Sequence, residues 1–245
     1  MEAILNTGVK DLIDRLALGA LDGFRPNENI LAQAFQHPSW CVENPSDQGG
    51  NPYLDCNQRL EFLGDSILGL VCAKHLYEAN PTAPEGELTR MRASLVCEKS
   101  LAAAAIAMDL GRYLRLGNGI AASGGRSQAS LLADAFEALV GALHLCGVTL
   151  SALEGFVFSA FAKSRHLIPE DADEDYKGQL QAFIQRSNDR MLSYAILQET
   201  GPDHQKRFLA AAYVDQAEMG RGWGNTKQEA QKQAAKQALL RIQRQ

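Results

Sequence analysis

No stretch of the 245-residue chain holds about 18 consecutive apolar residues, which excludes a helix crossing a bilayer. Met1 to Ala20 lacks a cationic start followed by a long apolar run, so no secretory signal is expected. The five cysteines (Cys41, Cys56, Cys72, Cys97 and Cys146) are odd in number and lack C-x-x-C spacing. Neither a zinc site nor a disulfide framework is therefore expected, and the pattern fits reduced, mostly buried thiols in a cytoplasm. Positive charge is scarce overall: the net charge is −5, which by itself does not suggest a nucleic-acid partner. No strand pattern of useful length occurs before residue 170, so the N-terminal part reads as all-α.

What is present is an ordinary globular composition, 46% hydrophobic and 22% charged, with a marked charge asymmetry. From Lys177 to Gln245 there are eleven Lys and Arg against six Asp and Glu; before Lys177 there are thirteen against twenty-three. An acidic domain is thus followed by a basic module. Between them, Pro169-Glu170-Asp171-Ala172-Asp173-Glu174-Asp175 reads as a solvated, extended linker.

The acidic domain centres on Asn57-Gln58-Arg59-Leu60-Glu61-Phe62-Leu63-Gly64-Asp65-Ser66, continuing through Ile67-Leu68-Gly69-Leu70-Val71. As a helix, this stretch is apolar almost all round, which predicts burial. It places Glu61 and Asp65 one turn apart on one face. Alone, such a pair more often turns to solvent or meets an arginine. A second apolar stretch, Ser130 to Leu143, carries Asp134 and Glu137 at i, i+3, with Ala138 and Gly141 on the same face so that another backbone can come close. Four carboxylates on two apolar helices suit one or two hard cations such as Mg²⁺ or Mn²⁺. Elsewhere, helical spacing runs over Leu5–Leu18, with a cap at Asn27 or Asn29 for the next helix and at Thr149 for another. His37 reads as a hydrogen-bonded structural residue. Glu43–Tyr53 and Gly111–Gly125 read as loops, and Arg126 as either solvated or open to a nucleic-acid partner.

In the basic module, Gly178–Arg186 has a helix pattern. Strand-like runs follow at Met191–Glu199, Lys206–Val214 and Gln216–Trp223, with Phe208, Ala210, Ala212 and Val214 alternating. Thr226-Lys227-Gln228-Glu229 forms a capping box that opens an alanine-rich helix to about Arg241. Lys227 lies in its first turn, where free N–H groups and the helix dipole attract phosphate, and Lys232 and Lys236 extend the charge.

Taken in order, these residues resemble the ribonuclease III family. The resemblance includes His37-Pro38-Ser39, Arg59-Leu60-Glu61-Phe62-Leu63-Gly64-Asp65-Ser66, Glu85-Gly86-Glu87-Leu88-Thr89-Arg90-Met91-Arg92-Ala93, Leu116-Gly117-Asn118-Gly119, Ser123-Gly124-Gly125 and the Asp134/Glu137 helix, and it extends to a C-terminal double-stranded-RNA-binding module. With the residue patterns above, it gives an all-α endonuclease domain over 1–168, an acidic linker over 169–176 and an α+β (αβββα) double-stranded-RNA-binding domain over 177–245. It further implies a Mg²⁺-dependent homodimer, with Mn²⁺ able to substitute, that hydrolyses double-stranded RNA to 5′-phosphate and 3′-hydroxyl ends and processes ribosomal and other structured transcripts in the cytoplasm. Glu61, Asp65, Asp134 and Glu137 would hold the metal, with Asp65 and Glu137 catalytic and Glu85 near the partner subunit's site. Gln181, Gln185, His204, Lys227 and Lys232 would contact RNA; the turn Gly201-Pro202-Asp203-His204 resembles the family's minor-groove loop. The chain departs from the pattern at Gln58, where the family usually has Glu, at Ile120, often an acid, and at Gln228, often a second lysine. These departures leave a second reading, a catalytically weak or inactive RNA-binding relative. A third, an unrelated metal phosphohydrolase, explains the acids but not the C-terminal module.

Overall fold

The computed structural model describes residues 2–45, 51–167, 176–185, 190–201 and 206–242. The chain divides into two compact units, Met1–Glu170 and Asp171–Gln245. The first is built from helices α1 (Glu2–Arg15), α2 (Glu28–Gln33), α3 (Pro38–Glu43), α4 (Pro52–Asp55), α5 (Gln58–Ala79), α6 (Glu85–Leu95), α7 (Glu98–Ala107), α8 (Asn118–Ala122), α9 (Ala129–Leu145) and α10 (Leu150–Ser164). No strand occurs among its described residues; a single isolated bridge joins Gln36 to Arg115.

Helix α9 forms the centre of this unit. Eleven of its residues are buried, including Leu132, Phe136, Leu139 and Leu143, as expected of a helix apolar nearly all round. It packs most extensively against α5 and then against α7. The run Ala102–Ala105 on α7 is wholly buried, and its small side chains allow that approach. The caps follow local chemistry: Asn27 Oδ1 accepts from the Ile30 N–H at 3.2 Å, and Thr149 Oγ1 from the Ala152 N–H at 3.3 Å. Four of the five free cysteines are buried, and Cys97 is half-buried.

Three expectations need correction. Helix α5 is not buried on all sides: Phe62, Leu70 and Tyr77 are 78%, 53% and 73% exposed. They recur at intervals of eight and seven residues, which puts them on one stripe. The segment Gly111–Gly125 is not simply a loop, because α8 and short 3₁₀ turns fold within it. The predicted loop from Glu43 instead has α3 running through Glu43 and α4 starting at Pro52; residues 46–50 lie outside the described residues.

The second unit comprises α11 (Tyr176–Gln185), β1 (Leu192–Thr200), β2 (Arg207–Val214), β3 (Ala217–Gly224) and α12 (Lys227–Ile242). The sheet is antiparallel in the order β1-β2-β3. Asp215 and Gln216 both have positive φ, at 50° and 70°, and close the β2–β3 hairpin in two residues, so β3 begins one residue later than its sequence pattern implies. Ala210, Ala212 and Val214 meet Leu180, Ala230, Ala234 and Ala238 in a separate small core. The acidic segment 169–175 lies outside the described residues.

Candidate metal centre and nucleic-acid surface

Two glycines set the geometry of the acid cluster. On α5, a Cβ at Gly64 would come within 1.8 Å of the Glu137 carbonyl oxygen; on α9, one at Gly141 would come within 2.3 Å of the Leu60 carbonyl oxygen. The two helices therefore touch backbone to backbone where their acids lie. One carboxylate oxygen each from Glu61, Asp134 and Glu137 lies within 4.8 Å of the others, and all three residues are half-buried. Among the described residues no Lys or Arg forms an ion pair with any of them.

The electrostatic consequence is direct. Burial pushes the Glu137 carboxyl up to about 7, and the charges of Asp65, Glu61 and Asp134 add to the shift. Glu61 is raised by burial, then by Asp134 and Asp65; Asp134 is raised by burial and then by Glu98. Half-buried acids that repel one another without a cation are costly. An all-oxygen donor set of this kind fits a hard divalent ion. Glu98, at the start of α7, has no sequence signal, since only packing brings it near Asp134.

Asp65 is exposed and stands outside the three-residue set, although its charge is felt by Glu61 and Glu137. Glu85 opens α6, is exposed, accepts from Thr89 Oγ1 at 2.9 Å and is not one of the three clustered acids. Gln58 opens α5, where its Oε1 accepts from the Cys56 thiol at 3.7 Å. Ile120 turns inward and packs against the domain core. His37 caps α3: the Ser39 N–H donates to its Nδ1 at 3.1 Å, and Ser39 Oγ lies 2.8 Å from the same atom. Burial lowers its pKa, in keeping with a structural role. Arg126 also turns out to be structural, donating to the carbonyls of Gly111, Arg112 and Leu114.

In the second unit, Gln181 on α11 and Lys227 on α12 are exposed, and Lys232 is half-buried. The Lys227 ammonium lies 5.6 Å from the Phe208 ring centroid. The cap is displaced by one residue from the simple box: the Glu229 N–H donates to Thr226 Oγ1, but Glu229 Oε2 accepts from the Asn225 N–H at 2.7 Å. His204 and the side chain of Gln185 lie outside the described residues. Sequence reading missed Lys177. Its Nζ donates to Gln231 Oε1 at 2.9 Å and sits 4.8 Å from the Tyr194 ring centroid, tying α11, α12 and β1 together.

Comparison with known proteins matches both units. A family model described as ribonuclease-III-like matches residues 27–163, and the double-stranded RNA binding motif matches residues 176–242. Ribonuclease 3 from Desulforamulus reducens is 45% identical over 219 residues, covering 89% of this chain and 86% of its own. Ribonuclease 3 from Symbiobacterium thermophilum is 44% identical over 215 residues, covering 87% and 88%. Among solved structures, the nuclease domain of ribonuclease III from Campylobacter jejuni superposes with a TM-score of 0.52 at 30% identity, covering 62% of this chain and 97% of that one. That nuclease domain shows structural flexibility in a region involved in dimer formation.

Proposed function

Because the chain belongs to the ribonuclease III family and is an endoribonuclease acting on double-stranded RNA, we propose that Glu61, Asp134 and Glu137, with Asp65 at their edge, are its metal-binding catalytic centre. The observation that carries this reading is the convergence of three half-buried carboxylates with no cationic partner among the described residues, in the same chain as a duplex-binding module. Mg²⁺, or Mn²⁺ in its place, supplies when bound the positive charge that polarises water and offsets the charge of the phosphate and of the departing 3′ oxygen. The protein's part is positional. Glu61 and Glu137 are held by the α5–α9 contact, Asp134 lies one turn back from Glu137, and Asp65 adds negative charge on the solvent side. The products are 5′-phosphate and 3′-hydroxyl ends, and the substrates are ribosomal and other structured transcripts in the cytoplasm.

Duplex is gripped by Gln181, Gln185, His204, Lys227 and Lys232, a set suited to phosphates and ribose hydroxyls rather than to sequence. The linker expected over 169–176 stops short of Tyr176, which opens α11 and belongs to the second unit's core. The exposed stripe of Phe62, Leu70 and Tyr77 on α5 supports a homodimer formed through the endonuclease domain, with Glu85 directed at the partner's site. No helix among the described residues is long and apolar enough to cross a membrane. The deciding experiment incubates purified protein with a long RNA duplex in Mg²⁺ and in chelator. Cleavage only with the metal is expected; cleavage in chelator, or duplex binding without any cleavage, overturns the catalytic assignment.

A further inference from the structure

The C-terminal unit carries a second group of RNA-compatible side chains along the β3 edge of its sheet. Gly220, Gly222 and Gly224 of β3 press against α12: a Cβ at Gly222 would come within 2.4 Å of the Ala234 nitrogen. Side chains alternate along a strand, so Arg221 and Trp223 point away from it. Leu209 pairs with Trp223 across β2, and Ala211 with Arg221. Arg207, two residues before Leu209, shares their face, and its guanidinium lies 5.6 Å from the Trp223 ring centroid. Trp223 is 40% exposed.

β3 is an edge strand among the described residues. An open groove of about 480 Å³ runs beside it, lined by Leu209, Arg221, Gly222, Trp223, Gln233 and Gln237. Gln233 and Gln237 lie one turn apart on α12, against Gly222 and Gly220. Arg221 is the charged residue of this lining. Arg221 donates twice to Glu218, at 2.6 and 2.8 Å, and Arg241 donates to the Glu218 carbonyl at 3.2 Å. Arg207 stands apart from this carboxylate, at the Trp223 end of the strand. A half-open indole beneath an arginine, with two amides across a groove, matches what an unpaired nucleotide needs: a stacking face, cations for phosphate, and donors and acceptors for a base edge.

We propose that this edge of the sheet binds single-stranded RNA, one base stacking on Trp223, the flanking phosphates meeting Arg207 and Arg221, and Gln233 and Gln237 facing the base edge. The inference rests on the reading that the chain handles structured RNA, whose duplexes adjoin unpaired loops and ends. The duplex-binding residues proposed above come from α11, the β1–β2 turn and the opening turns of α12, so the two surfaces can be tested separately.

The chain has two tryptophans, Trp40 and Trp223, so full-length Trp40→Phe leaves Trp223 as the only indole reporter. A short oligouridylate, which stays unstructured, is expected to quench its fluorescence saturably. In the otherwise native chain, Trp223→Ala lowers oligouridylate affinity at least about fivefold and disturbs blunt-duplex affinity far less. Trp223→Phe retains most strand binding, which separates stacking from a folding defect. Lys227→Ala gives the opposite pattern, weakening the duplex and sparing the strand. Absence of quenching at concentrations where duplex still binds overturns this proposal alone. So does an equal loss of strand and duplex binding in Trp223→Ala, or emission that follows protein concentration rather than RNA, the mark of a protein-binding face. Strand quenching in a chain that fails to bind duplex sustains this proposal and overturns the duplex assignment.

Discussion

Glu137 is the clustered acid pushed highest by its surroundings, and the proposed metal centre makes it a ligand. Glu137→Gln keeps size and hydrogen bonding while removing a ligand charge, so cleavage is expected to fall by orders of magnitude while duplex binding, read by gel shift, persists. Its titration gives a second test. The folded, metal-free chain holds the Glu137 proton up to about pH 7, whereas the ordinary value is 4.5. Between those values the folded state binds more protons than the unfolded one, so this group's contribution to stability falls as pH rises through the window. A divalent cation displaces the proton, so stabilisation by Mg²⁺ should grow with pH over the same range. Thermal melts in chelator and in Mg²⁺ check both, with Glu137→Gln as the comparison that isolates this group. Gln58 supports a third prediction. It meets Cys56 at the mouth of α5 rather than the acid cluster, so Gln58→Glu should change the rate at saturating Mg²⁺ by less than about tenfold, or about 1.4 kcal/mol of barrier. A Mg²⁺ titration showing a gain of several orders of magnitude would mean the natural chain is catalytically crippled.

The α5–α9 pair is the element that makes the site, and glycine is its condition. At Gly64 the facing backbone oxygen leaves no room for a methyl group, whereas a Cβ at Gly69 on the same helix meets nothing within 4 Å. Gly64→Ala should therefore push the helices apart, costing on the order of 1–3 kcal/mol and most of the activity. Gly69→Ala should stabilise by up to about 1 kcal/mol, because alanine loses less backbone entropy in a helix. Denaturant unfolding of the two variants separates a packing requirement from helix propensity. Equal effects would remove the close-approach argument.

At the scale of the whole molecule, an acidic unit that cuts is joined to a basic unit that holds. Deleting Asp175 to Gln245 removes the module's cations and should weaken RNA binding most at physiological salt, since phosphate contacts carry the salt dependence. Cleavage should survive in low salt, because all four acids lie in the remaining unit. A truncated chain that stays folded and dimeric but is inactive at every salt concentration would show that the module does more than hold RNA.

The sequence by itself determined the elements and their chemistry. Apolar periodicity marked α5 and α9, alternation marked β2, Thr226 and Glu229 marked the start of α12, and the charge asymmetry marked the two units. Each is a local property, written in neighbouring residues. The acids were legible for the same reason, since a carboxylate in an apolar run stands out wherever it sits. Tertiary structure alone decided which of them converge: Glu61, Asp134 and Glu137 cluster, Asp65 stays at the surface, and the charge of Glu98 on α7 is felt by Asp134. It also turned Phe62, Leu70 and Tyr77 outward from a helix that reads as buried, and committed Arg126 to loop carbonyls. These outcomes depend on which faces meet across long sequence separations. Hydrophobicity states only that a face is to be covered; the covering partner is set by packing, here by backbone contact at Gly64 and Gly141.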